Sequence, residues 1–395
     1  MPPKIYLKNL HAFRFFAAAA VIVCHLELYK NRVGIAHIWK HPLIFELGAA
    51  GVDFFFVLSG FLITTLLLNE KKYFGTINIK KFYIRRILRI WPLYYLVILT
   101  CFLLIPHIPL FDIYGYSETL YHNFWQKFLF CLGLMPNVAL PIYGEIPYAA
   151  PAWSIGVEEQ FYILWPLLIL FLRKGYRSIV LFIFIFIGIK VLLFLYSKFF
   201  TVDLNTFTGI KDFFVATRME CMGIGGLGAL LVFNKHRVID RIKSNGLGMA
   251  ALTMVPVIFY IVPYLYEIHH IALALCFLVI IINSTANENS FVKLENKPLY
   301  TLGNISYGLY LLHPLAIGIS LNLLRQTNLP KENAALFNIL YYLLTFSITI
   351  VTAYVSYRFF EKRFLDIKQK HTLIISGNDA KTALLENETQ KVPVS

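Results

Sequence analysis

Apolar runs of about 20 residues, the length that crosses a bilayer as a helix, recur along the whole of this 395-residue chain. No other feature constrains the fold as much. Inside hydrocarbon the backbone must satisfy its own hydrogen bonds, and only helices or closed barrels do so. The runs are continuous and do not alternate in polarity, which argues for helices and against a barrel. Composition agrees: 58% of residues are hydrophobic and 15% charged, too little charge to clothe a soluble protein of this size. The expected fold class is therefore an all-α polytopic membrane protein. About ten spans fall near 10–29, 44–68, 87–105, 154–172, 178–197, 213–233, 249–266, 269–284, 305–324 and 337–360. Ala17–Ala20 lie inside the first run, which continues past His25 and so reads as a span and not as a cleaved leader.

The formal net charge of +14 invites a nucleic-acid reading, but its placement assigns it to topology. Loops that share a side with the 69–86 connection carry Lys71, Lys72, Lys80, Lys81, Arg85, Arg86 and Arg89, then three, four and two more basic residues further on. The opposite loops hold half as many, and the long connection 106–153 has only Lys127. Basic loops stay in the cytoplasm, so both termini are expected there, with no nucleic-acid partner. Residues 366–395 read as a short polar cytoplasmic tail without ordered structure, following one integral-membrane domain over 1–365. The stretch near 126–140 is too short and broken to span and is expected as a surface or re-entrant helix. Five cysteines (Cys24, Cys101, Cys131, Cys221, Cys276) lie mostly in apolar runs without metal-ligand spacing. They read as small buried hydrophobes, with no metal site.

Ionisable groups within spans are costly and mostly functional. Arg14 and His25 stand 11 residues apart, about three turns, which puts both on one helix face about 16 Å apart. The bland alternative has Arg14 reaching lipid headgroups and His25 bonded to a carbonyl. Arg86 and Arg89 are i,i+3 neighbours at a cytoplasmic mouth, in "FYIRRILRIWP". Planar guanidiniums suit bidentate phosphate recognition, whereas a lipid anchor accounts for Lys80 and Lys81 but does not need Arg89 a turn deeper. Glu158 lies about one turn into its span from the outer surface, at a depth similar to His25. A carboxylate there can orient an imidazole for general-base work. Asp53 reads as a helix-entry acid, Ser59-Gly60 as a packing notch, and Arg218 with Glu220 as a local neutral pair. Lys190 and His313 are further embedded candidates, and Trp153, Tyr162, Tyr307 and Tyr310 can offer ring faces to sugars or anchor the interface.

The succession "FRFFAAAAVIVCHL", "GVDFFFVLSGFLIT", "FYIRRILRIWPLYYL", "PAWSIGVEEQFYILWPL", "NISYGLYLLHP" and "SYRFFEKRF" resembles the membrane-bound acyltransferase 3 family over residues 8 to 365. Its members are mostly bacterial enzymes that O-acylate, most often O-acetylate, sugars of cell-surface glycans. The resemblance implies an O-acyltransferase of the bacterial cytoplasmic membrane. Arg14 and His25 match the family's paired arginine and catalytic histidine, and Arg86 and Arg89 its Arg-x-x-Arg pair, associated with the acyl-CoA donor. Glu158 matches the acid of its fourth-span segment, Asp53, Ser59 and Gly60 its second-span motif, and Glu361 the acid after the last span. Arg363 stands where many members have proline, so no role is carried onto that end. Some members append an extracytoplasmic domain; none is expected after the tenth span here.

Together these readings imply acetyl-CoA docking from the cytoplasm on Arg86, Arg89 and Arg85, with no permanently bound cofactor. His25, oriented by Glu158, would serve as general base or acyl carrier towards a glycan or lipid-linked sugar outside. The rival is a transporter or flippase of a lipid-linked sugar. Weighing against it, residues 1–190 and 191–365 lack the self-similarity that paired transporter repeats leave.

Overall fold

A computed structural model of the protein describes residues 4–111, 116–171, 176–199, 204–265 and 268–376. Its principal helices are α1 (Leu10–Arg32), α2 (Pro42–Phe74), α3 (Ile79–Leu99), α4 (Ala152–Phe171), α5 (Arg177–Phe199), α6 (Met219–Phe233), α7 (Asn245–Leu265), α8 (Ile268–Ala286), α9 (Ser306–Arg325), α10 (Ala334–Ser356) and α11 (Lys362–Lys370). Nine helical stretches among the described residues are long and apolar enough to cross a membrane, and the apolar part of α7, Asn245–Ile261, is shorter. This is a multi-pass helical membrane protein.

Local chemistry sets where these helices begin and end. Pro42 occupies the first turn of α2, where its missing N–H is no loss. Gly75, with φ of 75°, ends that helix in the left-handed region. The Asn78 side chain then accepts from the Lys81 amide at 2.9 Å and starts α3. Glu70 staples this turn, accepting the Asn78 amide at 2.7 Å and holding Arg85 at 3.0 Å. Lys71 donates to the Ile169 and Leu170 carbonyls at the C-terminus of α4. Its charge thus serves a helix end as well as topology.

The centre of the bundle is the crossing of α2 and α6. A Cβ at Gly60 would overlap the Met222 carbonyl, and one at Gly225 the Val57 carbonyl. The notch expected at Ser59-Gly60 is real at Gly60, because small residues let helix backbones approach in lipid. Gly60→Val will therefore force α2 and α6 apart and cost about 3 kcal/mol, the upper range for overpacking. Thermal unfolding of the variant in nanodiscs, followed by tryptophan fluorescence, reads this as a lowered Tm.

Residues 126–140 form two short helices, Phe124–Leu132 and Pro136–Tyr143, which cap the bundle without crossing it. Tyr94 and Tyr95 donate to the Cys131 and Leu132 carbonyls, and Asn137 and Gln160 exchange amide hydrogen bonds at 3.1 Å. The segment read as a tail begins inside α11. Past it, Ile375–Ser376 pairs in parallel with Lys4–Ile5 as β2 and β1, so the described part of the tail folds back against the chain's start. Residues 377–395 lie outside those described. Cys24, Cys101, Cys131 and Cys221 are buried free thiols and Cys276 is half-buried, in keeping with apolar packing.

Candidate active site

A cavity of about 920 Å³ runs into the bundle between α1, α2, α3, α4 and α9. Its rim lies where the first and last described segments meet, at Ile5, Leu7, Lys368, Thr372 and Ile375. Deeper in it reaches Phe55, Ser59, Ser154, Glu158 and Tyr310. Between rim and depth stand Arg14, Arg86 and Arg89. Arg14 comes from the first turns of α1. Arg86 and Arg89 come from one face of α3, which the i,i+3 spacing dictates. None of the three has a carboxylate within ion-pair distance among the described residues, and Nε of Arg86 is buried without a hydrogen-bond partner. The Arg86 guanidinium lies 5.5 Å from the Tyr162 ring centroid and 5.6 Å from that of Phe82, a stacking that holds it flat. Arg85 also reaches the cavity wall, but it is bound to Glu70 and, at 3.1 Å, to the His371 carbonyl. It ties the C-terminal segment to the bundle and is not free in the way its neighbours are.

Glu158 accepts from the Tyr162 hydroxyl at 2.7 Å, and that hydroxyl meets Ser59 Oγ at 2.6 Å. A phenol has one hydrogen and Tyr162 gives it to the carboxylate, so Ser59 donates to Tyr162. Ser59 thus faces the cavity although its neighbour Gly60 serves packing. Glu159, one position on, faces the other way and accepts from Trp91 Nε1 at 3.1 Å. Tyr307 lines the cavity and donates to the Ile90 carbonyl at 2.8 Å. Tyr357 joins the wall from the π-helical turn Tyr357–Glu361 and Lys362 from the start of α11; Glu361, at the end of that turn, accepts from Ser356 at 3.0 Å. Such turns re-aim side chains without ending a helix.

His25 does not meet Glu158. Its Nδ1 lies 2.7 Å from Nε2 of His313, and His313, fully buried on α9, places its own Nδ1 3.3 Å from the Leu309 carbonyl. The expectation of an acid beside His25 is thus corrected to a second histidine. Helix periodicity put Glu158 at a similar depth, but α4 turns it towards Tyr162 and the arginines. The two imidazoles sit just beyond the cavity's inner end. Tyr310, which lines the cavity and bonds Ser154 at 2.8 Å, has its ring 6.2 Å from that of His313.

Three expected pocket residues stand elsewhere. Asp53 lies within α2, fully buried, with Oδ1 3.0 Å from Arg218 and Oδ2 2.7 Å from His270 Nδ1. It is not a helix cap. Lys190 pairs with Glu220 at 2.5 Å. Arg218, left-handed with φ 40° at the start of α6, and Glu220 therefore each find a partner on another helix and not each other. The Arg218 guanidinium also sits 5.7 Å from the Trp153 ring centroid. Sequence reasoning passed over His270, Glu70 and Ser154. The His269-His270 pair at the head of an apolar run is itself a signal of the intramembrane kind, whereas nothing local marks Ser154.

The chain is similar to O-acetyltransferase OatA of Staphylococcus aureus strain NCTC 8325 / PS 47, at 27% identity over 375 residues. The same similarity extends to OatA of strain MRSA252. The match takes in 90% of this chain and 57% of each relative, so the chain spans little more than half the length of these proteins. No solved structure matches it. The family model described as an acyltransferase domain matches residues 7–358, and the chain therefore belongs to the acyltransferase 3 family.

Proposed function

We propose that the protein transfers an acetyl group from cytoplasmic acetyl-CoA to a hydroxyl of a cell-surface or lipid-linked glycan on the outer side of the bacterial cytoplasmic membrane. The observation that carries this reading is the trio Arg14, Arg86 and Arg89, which share one deep cavity with no carboxylate ion-paired to them among the described residues. Guanidiniums in a low-dielectric site are expensive unless an anion compensates them, and a donor with several phosphates supplies that compensation bidentately. Family membership and the name of the OatA relatives favour O-acetyl transfer over transport.

In this reading both termini are cytoplasmic. The β1–β2 pair, which brings the two ends of the described chain together, supports an even number of crossings. Counting α7 as a crossing gives ten. The donor enters at the rim, its phosphates on Arg86 and Arg89, while Glu158 and Tyr162 sit beside the arginines deeper in. The thioester reaches towards Ser154 and Tyr310. His25 takes the proton of the sugar hydroxyl at Nε2 as that oxygen attacks the thioester carbonyl. The C–S bond breaks, and the imidazolium returns the proton to the leaving sulfur, so the products are an O-acetyl sugar and CoA thiol.

Purified protein in nanodiscs, given acetyl-CoA with and without a crude envelope glycan fraction, tests the reading by release of free thiol. Release that depends on glycan is expected. A folded protein that neither binds nor turns over acetyl-CoA would sink the proposal, and transport of a lipid-linked sugar would be tested instead.

A further inference from the structure

We infer that His313 is a positioning residue that fixes the tautomer of His25, leaving His25 Nε2 as the free base. The inference rests on the reading of His25 as the base of the transfer. It starts from the direction of two hydrogen bonds. The Leu309 carbonyl can only accept, so the His313 nitrogen facing it at 3.3 Å, Nδ1, carries the hydrogen. A neutral imidazole has one N–H, so His313 Nε2 is then a lone pair. A proton on both nitrogens would put a charge on a fully buried ring that has no carboxylate in ion-pair range among the described residues, at a high desolvation cost. The hydrogen in the 2.7 Å contact therefore belongs to His25 Nδ1, and His25 keeps its lone pair on Nε2.

The ring geometry supports a true N–H···N bond. The planes lie 20° apart with centroids separated by 5.0 Å. That separation, with nitrogens 2.7 Å apart, is what two nearly coplanar rings joined edge to edge present; face-stacked rings would bring far more atoms into contact. His313 thus stands where a catalytic triad places its carboxylate, orienting the base without touching the reacting atoms. An imidazole suits this site because a carboxylate beside a neutral histidine, deep in hydrocarbon, would be an uncompensated charge. The backbone of α9 helps to hold it. Pro314 follows His313 inside the helix and supplies no N–H to the Tyr310 carbonyl one turn back.

The test combines a spectroscopic and a kinetic readout on the full-length protein in nanodiscs. With ¹⁵N-histidine labelling, His25, identified by the signal lost in His25→Gln, is expected as the Nδ1–H tautomer in the wild type. In His313→Leu it is expected to exchange between tautomers. Thiol release by His313→Leu should show kcat reduced about 10²-fold, within the range for general-base loss, with KM for acetyl-CoA within about twofold. His313→Gln, whose amide oxygen can accept from His25 Nδ1, should recover about tenfold of that loss. Wild-type His25 as the Nε2–H tautomer, or wild-type kcat in His313→Leu, overturns the role of His313. Full activity in His25→Ala overturns the base assignment on which it rests, so the two failures are distinguishable.

Discussion

On the proposed mechanism, His25→Ala is expected to lower acetyl transfer about 10³-fold while leaving acetyl-CoA binding within about threefold of wild type. The magnitude is the middle of the range for removing a positioned general base. The separation of effects follows from geometry, because His25 stands beyond the inner end of the cavity, past Tyr310, and the arginines stand nearer its mouth. A substitution that touches only the transition state lowers kcat and kcat/KM together. Thiol release gives the rate, and titration of the catalytically dead variant with acetyl-CoA by calorimetry gives the affinity. A variant that binds normally but does not turn over supports the assignment. One that loses binding as well would place His25 in the donor site.

If the proposed donor site is right, replacing Arg86 and Arg89 together with alanine is expected to weaken acetyl-CoA binding by about 10²- to 10⁴-fold. Each guanidinium contributes charge-assisted hydrogen bonds worth about 1.5–3 kcal/mol, and about 1.4 kcal/mol corresponds to tenfold in affinity. Lysine at either position should restore part of the loss, because an ammonium keeps the charge but not the planar fork. In the wild type, raising the salt concentration should weaken binding less than it would for an exposed site, since screening acts poorly within a buried cavity. Arg85→Ala is expected to behave differently. It leaves the buried Glu70 without its partner and releases the His371 carbonyl, so the main effect is a fall in Tm and not in affinity. Calorimetry on the double variant, with Arg85→Ala measured beside it, separates a ligand site from a structural clamp. A loss of affinity in Arg85→Ala equal to that in Arg86→Ala and in Arg89→Ala, each measured singly, would argue for a diffuse basic patch in place of a defined phosphate site.

Much of this protein was legible before any coordinates. Continuous apolar runs mark candidate spans because hydrocarbon tolerates few alternatives; helices α1 to α10 fall on those runs, and nine helical stretches among the described residues are long and apolar enough to cross. The i,i+3 arginines and the Arg14–His25 spacing were equally readable, since a helix of 3.6 residues per turn assigns faces without reference to anything else. Gly60 as a notch followed from its size. What surrounded those faces was not legible. Ser59, one residue from Gly60, turned out to face the cavity and join Tyr162, 103 positions away in sequence.

The sequence by itself determined a helical membrane protein, the approximate spans, and which residues share a face with Arg14, His25, Arg86 and Arg89. Only the tertiary structure decided partners: His313 for His25 across 288 positions, Arg218 for Asp53 across 165, and Glu220 for Lys190 across 30. The physical reason is that helical periodicity is local whereas the choice of neighbouring helix is not. Within lipid, every buried charge must find a counter-group or a cavity, yet which helix brings it is settled by backbone approach at contacts such as Gly60 against Met222. Those contacts turned Glu158 towards Tyr162 and left His25 to a histidine.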